Sequence, residues 1–366
     1  MNQRDEKQEP LQLGLFMPNC SNLYSFSSYK PVPDDWTYAS NKAIAIAAED
    51  AGFDFLFPLG KWRGFGGKTN LGGLSLETTT WASSLLAVTN RIKIFSTVHV
   101  PMFHPLAVAK MGATMDHIGD GRWGLNVVSG FSSEMTQMGT DLLPHDERYR
   151  RTEDYITILK GLWTFEPGSF NHESPWYKIV SGYVNPPPVQ KPHPPIANAG
   201  VSEAAREMSA RLCDWSFISA QSVDNCAAIA GDIKQRADRY SRHVRCACYP
   251  FVLWRETERE AQHERRRILE HMDRAGVENF ARDLGIGSGS YDNFTLEMLT
   301  FGAGAMPIIG TAEQAAEELA RLYRSGVDGV LMCFLSYLAD TIRFRREIMP
   351  LLEQLGIPMT SAPTPR

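Results

Sequence analysis

The stretch Arg122-Trp-Gly-Leu-Asn-Val-Val-Ser-Gly130 has the composition of a β-strand that ends in a glycine turn. Leu125, Val127 and Val128 favour a strand. Asn126 is unusual among them, because a carboxamide that is buried without a partner costs ~1–3 kcal/mol. Asn126 is therefore expected either to bond to a neighbouring loop or to belong to a binding site where the strand ends.

Strand-like and helix-like segments alternate along the whole chain. The apolar runs predict strands within residues 11–17, 53–59, 92–98, 122–130, 196–200, 214–220, 244–254 and 326–334, with helices between them. Eight such strands, without a change in composition that would mark a second domain, predict a single TIM (β/α)8 barrel over residues 1–366. A doubly wound sheet that binds a dinucleotide is the rival fold, but it requires GxGxxG after the first strand, where MPNCSN stands.

Two insertions into this barrel are expected. Residues 166–195 are aromatic, polar and proline-rich, which predicts an extended excursion that returns to the core. Residues 276–305 are glycine-rich and predicted to be irregular, so they form either a lid over the site or an ordinary insertion.

The composition is that of an ordinary globular protein, with 43% hydrophobic and 22% charged residues. The net charge of −5 gives no electrostatic reason to expect binding to nucleic acid or to an anionic membrane. The six cysteines include no CxxC pair, so they indicate neither a zinc site nor a redox dithiol. No apolar run approaches the ~18 residues of a membrane span, and the charged N-terminus does not resemble a signal peptide. The cytoplasm is the expected location.

Polar residues where the third and fourth strands end are the first candidate site residues. Thr97 and Asn126 would lie side by side at one rim of a barrel, because their strands are neighbours. A hydroxyl and a carboxamide together could hold a small polar species against a cofactor. His99 and His104 follow Thr97 without the partners that a metal site needs, so they are expected to contact a ligand or to pack within their loop.

Two segments are candidates for anion binding at the same rim. Ser202 follows Gly200 and is a natural helix N-cap with backbone N–H groups behind it, although an ordinary capped helix is the alternative. Residues 148–151 place three arginines at a helix start, where cations oppose the helix dipole, so an acidic neighbour or an anionic ligand should hold them. The loop Gly64–Thr69 lacks the glycine that a Walker motif requires at Trp62, so an ATP site is not expected.

Four stretches together resemble the bacterial luciferase-like family of flavin-dependent monooxygenases, over nearly the whole chain. They are Lys61-Trp-Arg-Gly-Phe-Gly-Gly-Lys-Thr69, Asp120-Gly-Arg-Trp-Gly-Leu-Asn-Val-Val-Ser-Gly130, His145-Asp-Glu-Arg-Tyr-Arg-Arg151 and Ala199-Gly-Val-Ser202. The first is close to a loop of pyrimidine monooxygenases, and the third is closer to dimethylsulfone and alkanesulfonate monooxygenases. The resemblance implies a barrel that binds reduced FMN (FMNH2) from a separate NAD(P)H-dependent flavin reductase and uses O2 to oxygenate a small molecule.

The resemblance also implies which residues form the site. It assigns FMN contacts to Gly60, Lys61, Asn126, Glu134, Arg148, Tyr149 and Ser202. It further implies that Thr97 and Asn126 present O2 to flavin N5, which favours flavin-N5-peroxide chemistry with C–N, C–S or C–halogen cleavage. The flavin ring needs a flat apolar slot, for which Phe16, Trp123 and Phe131 are candidates. His99, His104 and Arg63 are expected to shape the substrate pocket.

The substrate and some alternatives stay open at this stage. A cyclic amide or pyrimidine-like ring, a sulfone or sulfonate, and a halogenated ring all fit the resemblance; a sulfonate would need basic residues such as Arg63 and Lys68. The alternatives are a C4a-peroxide enzyme of the alkanesulfonate or dialkylsulfone type, an F420-dependent dehydrogenase, and a non-catalytic flavin-binding protein on the same barrel. A homodimer or homotetramer is expected.

Overall fold

A computed structural model describes residues 8–21, 25–32, 36–130, 132–139, 141–200, 202–284 and 293–360. Its strands are β1 (Gln12–Phe16), β2 (Phe55–Phe57), β3 (Lys93–His99), β4 (Trp123–Val128), β5 (Phe170–Glu173), β6 (Lys178–Gly182), β7 (Ile196–Asn198), β8 (Trp215–Ile218), β9 (Arg245–Cys248), β10 (Pro250–Trp254), β11 (Met306–Gly310) and β12 (Gly329–Met332). Its helices are α1 (Tyr38–Ala51), α2 (Thr78–Leu86), α3 (Pro105–Ile118), α4 (Ser132–Gln137), α5 (His145–Thr164), α6 (Glu203–Leu212), α7 (Val223–Asp238), α8 (Glu258–Glu270), α9 (Arg274–Asp283), α10 (Asn293–Thr300), α11 (Ala312–Arg324), α12 (Tyr337–Glu347) and α13 (Met349–Gln354).

Eight parallel strands close a barrel in the order β1-β12-β9-β8-β7-β4-β3-β2. Helices lie between successive barrel strands along the chain, so the predicted TIM barrel is confirmed. In such a barrel the ends of the strands and the loops that follow them form one face, where ligands bind. This face carries the candidate residues of the third and fourth barrel strands.

Aromatic side chains fill the barrel interior. The buried cluster consists of Phe55, Phe57, Phe95, Ala197, Trp215, Phe217, Ala247 and Leu331. Glycine occurs where these rings need room, because a Cβ at Gly14 would lie 2.5 Å from the ring of Phe55, and one at Gly124 would lie 2.5 Å from the ring of Phe95. Burial of each phenylalanine stabilises the folded state by about 1.5–3 kcal/mol. The packed interior therefore supports the site from below.

The predicted seventh strand is wrong in its extent. The structure divides residues 244–254 into β9, which belongs to the barrel, and β10, which pairs with β11 in a separate parallel sheet of two strands. The division falls at Tyr249, and Pro250 then begins β10, a position that proline tolerates because it lacks a backbone donor. β11 was not predicted, since its apolar run is short and follows a glycine-rich segment.

The two predicted insertions contain more regular structure than expected. In 166–195, β5 and β6 form an antiparallel hairpin, and the extended chain begins only after β6. In 276–305, α9 and α10 are helices rather than irregular segments; residues 285–292 lie outside the described residues. Helix α9 buries Val277, Phe280 and Ala281, whose spacing is that of one helix face.

Among the helices in the described ranges, none combines the length and the apolar character that spanning a membrane requires. In the same ranges, no three His, Cys, Asp or Glu side chains come together as a metal site would require. The six cysteines are buried and form no disulfide.

Candidate active site

Thr97 and Asn126 are direct neighbours on β3 and β4, as the sequence predicted. Asn126 Nδ2 donates a hydrogen bond to Thr97 Oγ1 at 3.3 Å, and Thr97 Oγ1 donates to the carbonyl of Pro58 at 2.8 Å. Asn126 is 3% exposed, and its Oδ1 has no hydrogen-bond partner among the described residues. Since an unpaired buried acceptor costs ~1–3 kcal/mol, this oxygen is suited to a ligand that donates a hydrogen bond.

The loop after β2 packs directly behind Thr97. A Cβ at Gly60 would lie 2.6 Å from Thr97 Cγ2, so only glycine allows this approach. Asn19 holds the loop in place: its Oδ1 accepts from the N–H of Leu59 at 2.9 Å, and its Nδ2 donates to the carbonyl of Leu59 at 2.9 Å. Sequence reasoning missed Asn19, although its position just after the first strand is a signal that could have revealed it.

Lys61, Glu134 and His99 form a buried charged cluster above this pair. Glu134 Oε2 lies 2.8 Å from His99 Nδ1, and Glu134 Oε1 lies 3.3 Å from Lys61 Nζ. The backbone N–H of Trp62 donates to Glu134 Oε1 at 3.0 Å. Lys61 Nζ also lies 3.9 Å from Asp283 Oδ2 on α9. Lys61 and Glu134 were predicted to contact FMN and His99 to contact substrate, and the structure brings all three together.

The pKa values in this cluster follow from burial and mutual attraction. Burial lowers the pKa of the Lys61 ammonium, although the charges of Glu134 and Asp283 oppose this effect. Burial acts to raise the pKa of the Glu134 carboxyl, but the hydrogen bond from His99 and the charges of His99 and Lys61 outweigh it, so this pKa is lowered. Glu134 is therefore a stable carboxylate that two nitrogen groups share.

Tyr149 approaches the chain just after β7, where Gly200 and Ser202 lie. A Cβ at Gly200 would lie 2.7 Å from Tyr149 Oη and 2.9 Å from Asn198 Oδ1, so the backbone here is open only because residue 200 is glycine. Ser202 caps α6, because its Oγ accepts from the N–H of Ala205 at 3.3 Å. The start of α6 thus presents backbone N–H groups beside Tyr149.

Arg148 adds a guanidinium near this end of the site. Its Nη1 donates to the carbonyl of Gly130 at 3.3 Å, and its Nε is buried with no hydrogen-bond partner among the described residues. A cavity of about 320 Å³ adjoins Arg148 and is also lined by Ser129 and Arg151. A cation with an unused donor that adjoins a cavity is suited to an anionic group.

Some predicted residues have other roles in the structure. His104 is exposed and caps α3, because its Nδ1 accepts from the N–H of Leu106 at 3.2 Å. Arg63 is exposed on the loop after β2.

The prediction that Trp123 lines the flavin slot is wrong: its Nε1 donates to Ser96 Oγ at 3.0 Å on the outer side of the barrel. Trp123 is three residues from the inward-pointing Asn126, and strand residues at an odd spacing face opposite sides.

The other two predicted slot residues have different outcomes. Phe16 packs inside the barrel mouth, with its ring centroid 5.3 Å from that of Tyr249 and 6.0 Å from that of Phe57. Phe16 therefore lies on the side of the barrel that the slot requires. Phe131 lies outside the described residues.

A second hydrophobic cluster covers one side of the mouth. Phe26 from the loop after β1, Phe65 from the loop after β2 and Phe280 from α9 have ring centroids 5.0–5.8 Å apart. Asp273 joins the same parts, because its Oδ2 accepts from the N–H and the hydroxyl of Thr69 at 2.7 and 2.8 Å. Residues 276–305, for which both a lid and an ordinary insertion were expected, thus pack against the glycine-rich loop through Phe280 and Phe65.

The comparison with known proteins agrees with this geometry. The profile of the luciferase-like monooxygenase family matches residues 12–329. The chain belongs to this family. The FMNH(2)-dependent dimethylsulfone monooxygenase of Pseudomonas putida is 32% identical over 357 residues, which cover 95% of this chain and 96% of the relative. The pyrimidine monooxygenase RutA of Acinetobacter baylyi is 31% identical over 364 residues, which cover 93% and 95%.

A solved structure supports the fold of this luciferase-like monooxygenase. The crystal structure of riboflavin lyase (RcaE) with modified FMN and riboflavin aligns with a TM-score of 0.84 and 22% identity, covering 98% of this chain and 94% of that chain. At this identity the likeness concerns the fold alone. The family expected from the sequence is confirmed, and the chain is a flavin-dependent monooxygenase.

Proposed function

We propose that this protein is a two-component monooxygenase that receives FMNH2 from a separate flavin reductase and uses O2 to oxygenate a small neutral organic molecule. The observation that carries the proposal is the Thr97–Asn126 pair at the barrel mouth, in which a buried amide oxygen has no partner among the described residues. The names of the relatives, both monooxygenases and one of them FMNH(2)-dependent, support the same class of reaction.

The residues present fit the phosphate end of FMN. A phosphate is dianionic near neutral pH and needs cations and N–H donors. Arg148 Nε is a buried donor with no partner among the described residues. The start of α6 behind Ser202 offers backbone N–H groups, and the glycine at position 200 adds no Cβ beside them. Arg148, Tyr149 and Ser202 would therefore hold the phosphate.

The Thr97–Asn126 pair fits the reacting end of the cofactor. Reduced FMN, when bound, supplies the electrons and activates O2. Because Asn126 Nδ2 is directed to Thr97 Oγ1, its Oδ1 remains to accept a hydrogen bond from the ring, while the Thr97 side chain limits the space beside it. We propose that the two side chains position O2 at flavin N5, and that the rings of the second hydrophobic cluster keep water away.

The charges of the described site favour a neutral substrate. Lys61 is buried, and carboxylate oxygens of Glu134 and Asp283 lie 3.3 and 3.9 Å from its Nζ. These two carboxylates already balance its positive charge, so Lys61 is a poor partner for a sulfonate. Arg63 and Lys68 are exposed on the surface of their loop. A sulfone or a cyclic amide is therefore a better candidate than a sulfonate. The two relatives differ by only one percentage point of identity, so they do not choose between these two classes.

An oxygen-incorporation assay tests this function. The protein is mixed with FMN, NADH, a flavin reductase and 18O2, together with a panel of sulfones, cyclic amides, halogenated aromatics and sulfonates. We expect one 18O atom in the product of a neutral substrate, and none when the reductase is omitted. Normal flavin binding without substrate-dependent incorporation across the panel would contradict the proposal.

The phosphate contact has its own test with a matched control. Arg148→Ala is expected to weaken binding of FMN about tenfold or more, as for the loss of a charge-assisted hydrogen bond worth ~1.5–3 kcal/mol, but to leave binding of riboflavin unchanged. Arg150→Ala removes an exposed arginine from the same helix and should change neither affinity. An equal loss for both flavins would show that Arg148 does not bind the phosphate.

Two further predictions concern the whole chain. We propose that residues 1–366 form one domain and that the protein is a homodimer or homotetramer. Sedimentation velocity measures the mass, and a single cooperative unfolding transition is expected for one domain. A mass of one chain at micromolar concentration would contradict the predicted oligomer.

A further inference from the structure

A cavity of about 360 Å³ lies at the end of the barrel where the strands begin, opposite the mouth. Its lining includes the first residues of four barrel strands, which are Gln12 of β1, Lys93 of β3, Trp215 of β8 and Arg245 of β9. Residues 190–195, which precede β7, supply another wall. Pockets for small molecules measure about 300–1,000 Å³, so this cavity is large enough for a ligand. The proposed oxygenation at the mouth does not use it.

The inner end of the cavity is apolar and aromatic. Four rings of the barrel interior line it, namely Phe55, Phe95, Trp215 and Phe217. The centroids of neighbouring rings in this set lie 5.8–6.2 Å apart. The rings therefore form a continuous apolar floor, which suits the flat body of an aromatic ligand.

Arg242 supplies unused donors beside this floor. Its Nη2 donates to the carbonyl of Cys213 at 2.9 Å and to Asp214 Oδ1 at 3.3 Å. Its Nε has no partner, and its Nη1 makes no hydrogen bond, in the part of the chain that the structure describes. A guanidinium binds a carboxylate best through two parallel N–H donors, and Arg242 has such donors free.

Lys93 is a second cation with free donors. Its side chain is exposed at the edge of the cavity and forms neither a hydrogen bond nor an ion pair within the described ranges. Asp54 attracts Lys93, but the Asp54 carboxylate already accepts hydrogen bonds from the N–H of Leu13 and the hydroxyl of Thr360. Lys93 can therefore bind an anion without giving up another contact.

The other charged groups at this end leave an excess of positive charge. Arg245 donates to both oxygens of Glu9 at 2.6 and 2.9 Å, whereas Asp214 is shared between Arg242 and Lys160. Burial lowers the pKa of His193, so this lining imidazole is neutral. The charges that interact here are the cations Lys93, Lys160, Lys234, Arg242 and Arg245 and the carboxylates Glu9, Asp54, Asp214 and Asp328.

We propose that this cavity binds a small aromatic carboxylate, whose charged group contacts the free donors of Arg242 and Lys93 and whose ring packs on the aromatic floor. A neutral aromatic molecule would leave both cations unused, and a small anion without a ring would leave the floor uncovered. The site goes beyond the proposed function, because it lies at the other end of the barrel and requires neither flavin nor O2.

Calorimetric titration of the full-length protein with 2-naphthoate tests this site in the absence of flavin. We expect one molecule to bind per chain. 2-Naphthamide keeps the rings but lacks the charge, and acetate keeps the charge but lacks the rings, so each should bind about tenfold more weakly or worse. Saturation with FMN should leave the affinity for 2-naphthoate unchanged, because FMN is proposed to bind at the mouth.

Variants of exposed lysines identify where 2-naphthoate binds. Lys93→Met removes the charge but keeps an unbranched side chain, and it should weaken binding about tenfold or more. This variant should fold as the wild type does, since Lys93 has no hydrogen bond to lose within the described ranges. Lys93→Arg keeps the charge and should retain binding. Lys42→Met is the matched control, because Lys42 on α1 is also exposed and lies outside the cavity lining; its affinity should equal that of the wild type.

The outcomes separate this inference from the proposed function. If the wild type does not bind 2-naphthoate at millimolar concentration, or if Lys93→Met binds it as tightly as the wild type, the proposed site is overturned. Displacement of 2-naphthoate by FMN would place the ligand at the mouth and would also overturn it. Normal binding of 2-naphthoate by a protein that fails to oxygenate any substrate would overturn the proposed function alone.

Discussion

Replacement of Thr97 by valine removes one oxygen from the barrel mouth without changing the shape of the side chain. The hydroxyl donates to the Pro58 carbonyl at 2.8 Å and accepts from Asn126 Nδ2 at 3.3 Å, so both bonds disappear. At about 0.5–1.5 kcal/mol for each bond, the free energy of unfolding should fall by about 2 kcal/mol. This loss is small enough that the variant is expected to fold.

The effect of Thr97→Val on activity should be much larger than its effect on stability. Loss of one preorganised polar group at a reacting centre typically costs a factor of about 10²–10³, so oxygenated product should fall by about this factor. Flavin binding should change little, because the phosphate end is untouched. Reduced flavin should then be consumed with release of hydrogen peroxide in place of product. Thr97→Ser, which restores the hydroxyl, should recover most of the product, and Thr97→Ala should lose it as valine does.

The assay is the ratio of product to hydrogen peroxide per FMNH2 consumed, measured beside urea unfolding. Thr89→Val is the matched control, because Thr89 is equally buried, donates to the Leu85 carbonyl at 2.8 Å and accepts from Arg122 Nη1 at 3.0 Å, away from the mouth. It should lose a similar amount of stability and retain activity. Unchanged product formation by Thr97→Val would refute the oxygen-positioning role.

Three other perturbations have expected outcomes. Gly60→Ala places a Cβ 2.6 Å from Thr97 Cγ2, so calorimetric melting should show a loss of about 1–3 kcal/mol, and product formation should also fall. Asp273→Ala removes the acceptor of Thr69, so urea unfolding should show a loss of about 3 kcal/mol and limited proteolysis should cut the 60–73 loop faster. Burial opposes ionisation of Glu347, but hydrogen bonds from two arginines and a tryptophan lower its pKa to about 2. Its stabilising effect is therefore complete above the ordinary value of 4.5 and is lost as the pH falls towards 2, so urea unfolding of wild type and Glu347→Gln should converge over that range.

The barrel and its central pair could be predicted from the sequence, because both depend on local patterns. Alternating apolar runs predict the strands and helices, and neighbouring parallel strands bring Thr97 and Asn126 together at one rim. The same alternation places Trp123, three residues before Asn126, on the outer side of β4. The sequence alone therefore argues against the prediction that Trp123 lines the flavin slot.

Only the tertiary structure shows which side chains form the charged cluster and which segments cover the mouth of the barrel. Lys61, His99, Glu134 and Asp283 come from four separate parts of the chain, and no local pattern specifies which of them share a hydrogen bond. The departure of β10 from the barrel likewise depends on pairing with β11, which lies more than fifty residues away. Sequence periodicity records which face of a segment is buried, whereas partners between distant segments are set by how the loops pack once the barrel has closed.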